Sequence, residues 1–407
     1  MKFELFVARR MLSKEKSAFS GAFVRIAIIS VALGMVMMIL SDSILSGFQM
    51  AIRDKIAGFS GHIRISPFSD NESWETEPVA KYQDFYSSIL EIPGVKHIQV
   101  YATKAGIIKT DDQIEGVVLK GVDSDFDWQW FDQQIIAGSS FRVVDTAEKT
   151  NNILVSSITA KRLNISLGDD VRMYFVNNEI ARGRKFVVSG IYDTGLGEFD
   201  KMYVLCDIRH IQKLNNWKDN QVAGFEIITN DFGSIDKVNQ AVYEFVPFDL
   251  NARTIREIYP QMFDWLALQD TNVIVIMVLM VLVAGITMIS TLLILILERT
   301  RMIGVFKALG ASNKSIRTIF ILNAVKIVGK GLLWGNLIAL SLALIQNYTG
   351  IITLPQESYY VSTVPIHINV LHILLINLGT AVVCFSMLLV PSYIISRIDP
   401  VKSIRMD

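Results

Sequence analysis

Residues 271–312 read TNVIVIMVLMVLVAGITMISTLLILIL and then ERTRMIGVFKALGAS, an apolar run that passes without a break into a charged segment. The run at 271–297 is longer than the roughly 20 residues that cross a ~30 Å hydrocarbon core at about 1.5 Å per residue. Residues 298–312 are therefore pinned to a membrane face. Within them Ile303, Phe306, Leu309 and Gly310 fall at near-helical spacing, with Gly304 between and Glu298, Arg299, Arg301 and Lys307 carrying charge around them. Two readings follow. One is a short amphipathic helix that presses its apolar edge into a partner; the other is a basic loop that only sets topology.

Outward from this stretch the same pattern recurs. Residues 23–46, 319–345 and 370–395 are further apolar runs, while 47–268 is charged and strand-rich. An apolar fraction of 51% with mean hydropathy +0.38 is too high for an ordinary soluble domain and too low for membrane helices alone. Four membrane spans and one large domain outside the bilayer are expected. Loop charges orient them. Lys2, Arg9, Arg10, Lys14 and Lys16 precede the first span, Arg299, Arg301, Lys307, Lys314 and Arg317 follow the second, and Arg397, Lys402 and Arg405 end the chain. The loop 346–369 holds no Lys or Arg. The positive-inside rule then makes residues 1–22 (an amphipathic segment), 298–318 and 396–407 cytoplasmic, and leaves 47–268 and 346–369 outside.

The formal net charge of zero conceals a division that agrees with this. Residues 47–268 carry 23 Lys and Arg against 31 Asp and Glu, net −8, which leaves 16 against 8, net +8, for the rest. No basic stripe interleaved with aromatics marks the outer domain for nucleic acid. The first run is longer than a signal peptide's apolar core and is followed by a poor cleavage site at Ser41, Asp42 and Ser43, so it reads as an uncleaved anchor. Cys206 lies in the outer domain and Cys384 in the last span, a placement against a disulfide.

Period-two patterns in the outer domain suggest strands at 62–66, 98–109, 116–122, 152–156, 171–176, 185–192, 202–206 and 223–229, with helices at 79–90 and 234–246. That is an α+β domain, with about 122–218 as an inserted part. The five histidines show no HExxH or Cys/His metal spacing, and Gly329-Lys330-Gly331 lacks the rest of a phosphate loop. The chain is read as no enzyme, with no nucleotide site of its own. Lys326 and Lys330 are four apart within the third span, where a charge faces protein or water; Asp42 is the partner nearest in depth. Gly331 and Gly335 would let another helix approach closely.

Taken together, one span, a large outer domain and three further spans resemble the FtsX/MacB class of ABC transporter permeases, and within it the LolC/LolE branch of the lipoprotein-releasing system. The residues that carry the resemblance are Ala32-Leu33-Gly34, Ser46-Gly47-Phe48-Gln49, Gly61-His62-Ile63, Leu119-Lys120-Gly121-Val122-Asp123, Leu167-Gly168-Asp169-Asp170-Val171, Val188-Ser189-Gly190-Ile191-Tyr192 through Asp200, Tyr359-Tyr360-Val361 with Val364-Pro365-Ile366, and Arg397-Ile398-Asp399-Pro400-Val401.

The resemblance implies an integral membrane α-helical fold with an extracytoplasmic domain of the MacB periplasmic-core type, in the inner membrane. It implies a coupling helix against a cytoplasmic ABC ATPase, on Glu298, Arg301, Ile303, Gly304, Phe306, Lys307, Leu309 and Gly310, with ATP and Mg²⁺ held in that partner. A second permease copy or paralogue, a lipoprotein cargo and a periplasmic lipoprotein carrier complete the implied partners. Met35, Met38, Leu45 and Phe48, in and just beyond the outer half of the first span, would suit acyl chains. One departure concerns the carrier. LolC-type members have a longer, proline-bearing hook where only residues 176–183 separate two strands here. A LolE-like partner, a homodimer serving both roles and a permease for another cargo all stay open, as do an FtsX-type scaffold that regulates cell-wall hydrolysis and a MacB-type export permease.

Overall fold

A computed structural model describes residues 4–7, 18–68, 76–110, 113–144, 148–177 and 180–394. The C-terminal motif at 397–401 lies outside the described residues, as does most of the N-terminal segment. The chain forms two units, one of residues 1–49, 265–353 and 363–407 and the other of residues 50–264 and 354–362. Helix α1 (Ala18–Ser60) belongs in part to each. At 43 residues it is about 65 Å long, roughly twice the hydrocarbon thickness. The composition changes at Gly47, yet the helix runs on to Ser60, because Gly47 and Gly58 serve close packing: a Cβ at Gly47 would lie 2.6 Å from the Pro365 carbonyl, and one at Gly58 would strike the Trp130 ring. The helix ends where Gly61 takes φ +70°, which suits glycine.

In the outer unit β1 (Ile63–Pro67), β2 (Val79–Ala80), α2 (Phe85–Leu90), β3 (Val95–Lys109), β4 (Ile114–Val122), β5 (Ile135–Gly138) and β6 (Asn152–Ser156) come first. Then follow α3 (Ser157–Leu163), β7 (Asp170–Asn177), β8 (Ile180–Tyr192), α4 (Gly197–Met202), β9 (Tyr203–Asp207), α5 (Ile208–Leu214), β10 (Gln221–Val222), β11 (Gly224–Thr229), α6 (Ile235–Tyr243) and β12 (Leu250–Thr254). Ten strands make one sheet in the order β12-β1-β11-β3-β4-β9-β6-β8-β5, and β7 joins both β3 and β8. The pairings from β3 through β4, β9, β6, β8 and β7 return to β3, a closed circuit. Residues 122–218 thus supply β5 to β9 to the same sheet as the rest, not to a separate one.

Each strand read from the sequence has its counterpart, but the helix expected over 79–90 is corrected. Val79 and Ala80 pair with β10 as strand β2, and only Phe85–Leu90 is helical, with Phe85 and Ile89 buried. Strand β12, missed in the sequence as LNART, is held by pairing with β1 along its whole length. Its signal is tertiary, not periodic.

The chain then enters α7 (Pro260–Glu298), α8 (Thr300–Ala308), α9 (Asn313–Thr349) and α10 (Val370–Ile394). Among the described residues α1, α7, α9 and α10 are long and apolar enough to cross a membrane. Small residues set the contacts, as expected where lipid removes the hydrophobic drive between helices. A Cβ on Gly331 would lie 2.7 Å from Val31 and one on Gly335 2.6 Å from Met35, so this pair seats α9 on α1. Polar contacts add direction: Asn336 and Asn377 exchange amide hydrogen bonds of 2.7 and 2.9 Å, and Ser30 donates to Thr287 at 3.2 Å. Asp42 meets His372 Nδ1 at 3.2 Å, while Lys326 is half-buried and Lys330 exposed on α9.

Candidate functional site

The segment 298–312 folds as a helix with its own start and stop. Arg299 (φ −103°) breaks the line between α7 and α8. At the other end Gly310, at φ +91°, closes a Schellman turn: its amide donates to the Lys307 carbonyl at 3.0 Å and the Ala311 amide to that of Phe306 at 2.9 Å. Ser312 then caps α9, accepting from the Ser315 amide at 3.2 Å. The Ser315 hydroxyl reaches Glu4 at 2.6 Å, and residues 4 and 5 line a shallow recess with Lys314, Thr318 and Leu322.

Burial divides the eight residues expected to form the coupling helix. Ile303 and Gly304 are buried, and Met302 and Phe306 pack on the cluster of Leu295, Ile296, Ile316 and Phe320. These side chains hold α8 to its own helices. Leu309 is 80% exposed and Val305, which the sequence reading left out, is 48% exposed. Positions 305 and 309 are i and i+4 on one face, so the free apolar edge is theirs and not that of Ile303 and Phe306. Arg301 and Gly310 are exposed beside it and Lys307 is half-buried.

On α1 the placement also differs from expectation. Met35 is fully buried under Gly335, and Met38 is buried with its sulfur 4.0 Å from the Thr380 hydroxyl. Phe48 is buried against Trp265 at 5.7 Å between ring centroids, and Leu45 is half-buried. The large apolar residues that α1 leaves open are Ile26, Ile29, Leu33, Met37, Ile44 and Met50.

Where α1 ends, the outer unit holds an ion cluster that sequence reasoning missed. Lys120 on β4 is 2% exposed and donates to both carboxylate oxygens of Glu226 on β11, at 2.8 and 2.9 Å, and to the carbonyl of Phe59. Gln99 on β3 donates to Glu226 at 3.0 Å, and Arg64 on β1 approaches it at 3.4 Å. Burial pulls the Lys120 ammonium below its ordinary value while Glu226 pulls it back up. The cluster satisfies a carbonyl of the last turn of α1, which helix geometry leaves open. A lysine amid Val117, Val118, Leu119, Gly121 and Val122 was the available signal. Among the described residues no group of three or more His, Cys, Asp or Glu could hold a metal ion.

A model described as the MacB-like periplasmic core domain matches residues 26–244, and one described as the FtsX-like permease C-terminal matches residues 274–400. The chain belongs to the FtsX/MacB class of permeases. It is similar to the lipoprotein-releasing system transmembrane protein LolC of Xylella fastidiosa (strain Temecula1 / ATCC 700964), at 21% identity over 98% of this chain and 97% of that one. It is also similar to LolE of Haemophilus influenzae, at 22% identity over 97% of each. Among solved structures the periplasmic region of MacB from Actinobacillus actinomycetemcomitans covers 49% of this chain and 91% of its own, at 11% identity and a TM-score of 0.34. FtsX-family permeases are multi-pass membrane proteins without catalytic activity that pair with a separate ABC ATPase. In this permease the charged segment between α7 and α9 is the α8 helix just described.

Proposed function

We propose that this permease couples ATP hydrolysis by a separate cytoplasmic ATPase to the extraction of lipoproteins from the inner membrane for delivery to the outer membrane. The observation that carries the reading is that relatives named for lipoprotein release align over almost the whole chain, membrane helices and outer domain alike. ATP and Mg²⁺ bind in the ATPase, which docks on the α8 edge of Val305 and Leu309 with Glu298, Arg301, Lys307 and Gly310 around it. A second permease copy or paralogue completes the membrane part, and a periplasmic carrier receives the cargo. Acyl chains enter along the open stripe of α1, where Met37 and Ile44 stand in the outer half and Leu45 and Phe48 lie beside it, while Met35 and Met38 back the stripe from within.

Met37→Asp tests this directly. A charge in hydrocarbon costs ~2.5 to 3.5 kcal/mol on insertion scales, so the variant should leave lipoproteins in the inner membrane, as should depletion of the chain. Fractionation of labelled lipoproteins between the two membranes is the measurement. Normal delivery in depleted cells, with failed cell separation, would overturn the reading in favour of an FtsX-type scaffold.

A further inference from the structure

The final turns of α1 carry Lys55, whose ammonium donates to two backbone carbonyls from distant parts of the chain, Thr194 at 2.6 Å and Tyr360 at 2.8 Å. Thr194 belongs to the turn between β8 and α4. Tyr360 lies in residues 354–362, which the sequence places between α9 and α10 but which belong to the outer unit. This segment contributes no strand to the ten-stranded sheet.

The turn is built to present its carbonyl. The buried carboxylate of Asp200 accepts from the Thr194 hydroxyl at 2.7 Å and from the amides of Thr194 and Gly195 at 3.1 and 3.2 Å. Asp193 closes the other side: it accepts from the Gly195 amide and the Gln356 side chain, both at 3.0 Å, and from Ser157 of α3 at 3.0 Å. Tyr360 sits at φ +61°, its amide tied to the Gln356 carbonyl at 2.9 Å. Gly195 is at φ +74°, and a Cβ there would run into the Lys55 ammonium, the Gln356 amide and the Tyr360 carbonyl. Three segments converge with no room for one more carbon.

Each of these segments is covalently continuous with a membrane-length helix or with elements of the outer unit. The helix bearing Lys55 is itself the first span, 354–362 is flanked by the third and fourth, and the 193–200 turn joins two elements of the outer unit. A lysine on backbone carbonyls ties them through atoms that every residue supplies, with three donors available to one ammonium. We propose that Lys55 is a positioning residue that fastens the end of α1 and the 354–362 segment to the 193–200 turn, so that displacement of the spans is delivered to the outer unit as one movement. The proposal rests on the permease reading but not on the identity of the cargo.

The test uses the full chain with its ATPase in nanodiscs, with spin labels on cysteines at Lys161 and Thr349, both exposed, while Cys206 and Cys384 are buried. With Lys55 in place, ATP and vanadate should shift the distance between the labels. Lys55→Met should lose most of that shift while ATP turnover stays within about twofold and the melting temperature holds; Lys55→Arg, which can still donate to both carbonyls, should restore it. Gly195→Ala should reproduce the loss from the turn side. An unchanged shift in Lys55→Met overturns the proposal. So does a fall in melting temperature that accompanies the loss and is shared by Lys55→Arg, since that marks a role in folding alone. Failure of lipoprotein release with the distance shift intact counts against the cargo and not against Lys55. Absence of any nucleotide-driven shift with Lys55 present overturns both the proposal and the permease reading.

Discussion

His62 stands at the entry to the sheet, where the chain leaves α1 for β1, and its environment requires a neutral ring. Its Nδ1 accepts from the Thr229 amide at 3.2 Å, a bond that a protonated imidazole cannot accept. Burial pushes its pKa down to about 4, with nearby Lys96 adding to the effect and Asp231 opposing it. Between about 6.5 and about 4 the unfolded chain therefore binds the extra proton. The stability linked to His62 is present in full above pH 6.5 and is lost as pH falls toward 4. Asp125 and Asp200, both raised to about 6 by burial, act with the opposite sign, because the folded state keeps their protons as pH rises from their ordinary value to 6. A bulk melting curve mixes these terms, so the prediction is site-resolved. In isotope-labelled histidine NMR of the full chain, assigned with His62→Gln, the His62 ring should show no titration above pH 5. A midpoint at 6 or higher would refute it.

At the scale of the element, α8 has two faces with different work. Ile303→Ala removes a buried side chain from the chain's own helical core and should cost about 2 to 5 kcal/mol of stability, read as a lower melting temperature. Val305→Ala combined with Leu309→Ala removes side chains that are exposed in the isolated chain and should leave melting unchanged. Burying each against a partner contributes roughly 1.5 to 3 kcal/mol, and tenfold in affinity is 1.4 kcal/mol, so the double variant should weaken ATPase docking tenfold or more. Co-purification and turnover of the complex measure it. Full docking by the double variant would leave α8 as a segment that only sets topology.

For the whole molecule the charge division carries the prediction. Net −8 over residues 47–268 against +8 elsewhere places that region and Thr349 outside and the α8 segment inside. Cysteines at Lys161 and Thr349 should react with a membrane-impermeant thiol reagent in intact spheroplasts, and one at Ser312 should not. All three positions are exposed in the structure, so burial does not confuse the outcome. Labelling at Ser312 would reverse the orientation.

Much of the protein could be read without coordinates. Apolar length located the four membrane-length helices, since it depends on composition along the chain alone, and the charge asymmetry carries the orientation that thiol labelling tests. Period-two patterns located the longer strands for the same reason. Which face of a helix is used could not be read this way. Ile303, Phe306 and Leu309 share a spacing, and so do Met35 and Met38 with their exposed neighbours, but burial is decided by what stands opposite: the Leu295 and Phe320 cluster for α8, Gly335 for Met35. The end of α1 was hidden likewise. Gly47 looks like a boundary and is a contact, while Gly61, with its left-handed backbone, is the boundary. The Lys120–Glu226 pairing and the Lys55 junction could not be read from the sequence, although a lysine within an apolar strand marked Lys120 as unusual. They join residues separated by 106 and by up to 305 positions, and local periodicity has no reach over such spans. Local composition was enough to determine the long apolar helices, the longer strands and their order along the chain; the short strands β2 and β12, and which side chains each element buries, exposes and ties together, were decided by the tertiary structure, because they depend on partners brought near only by folding.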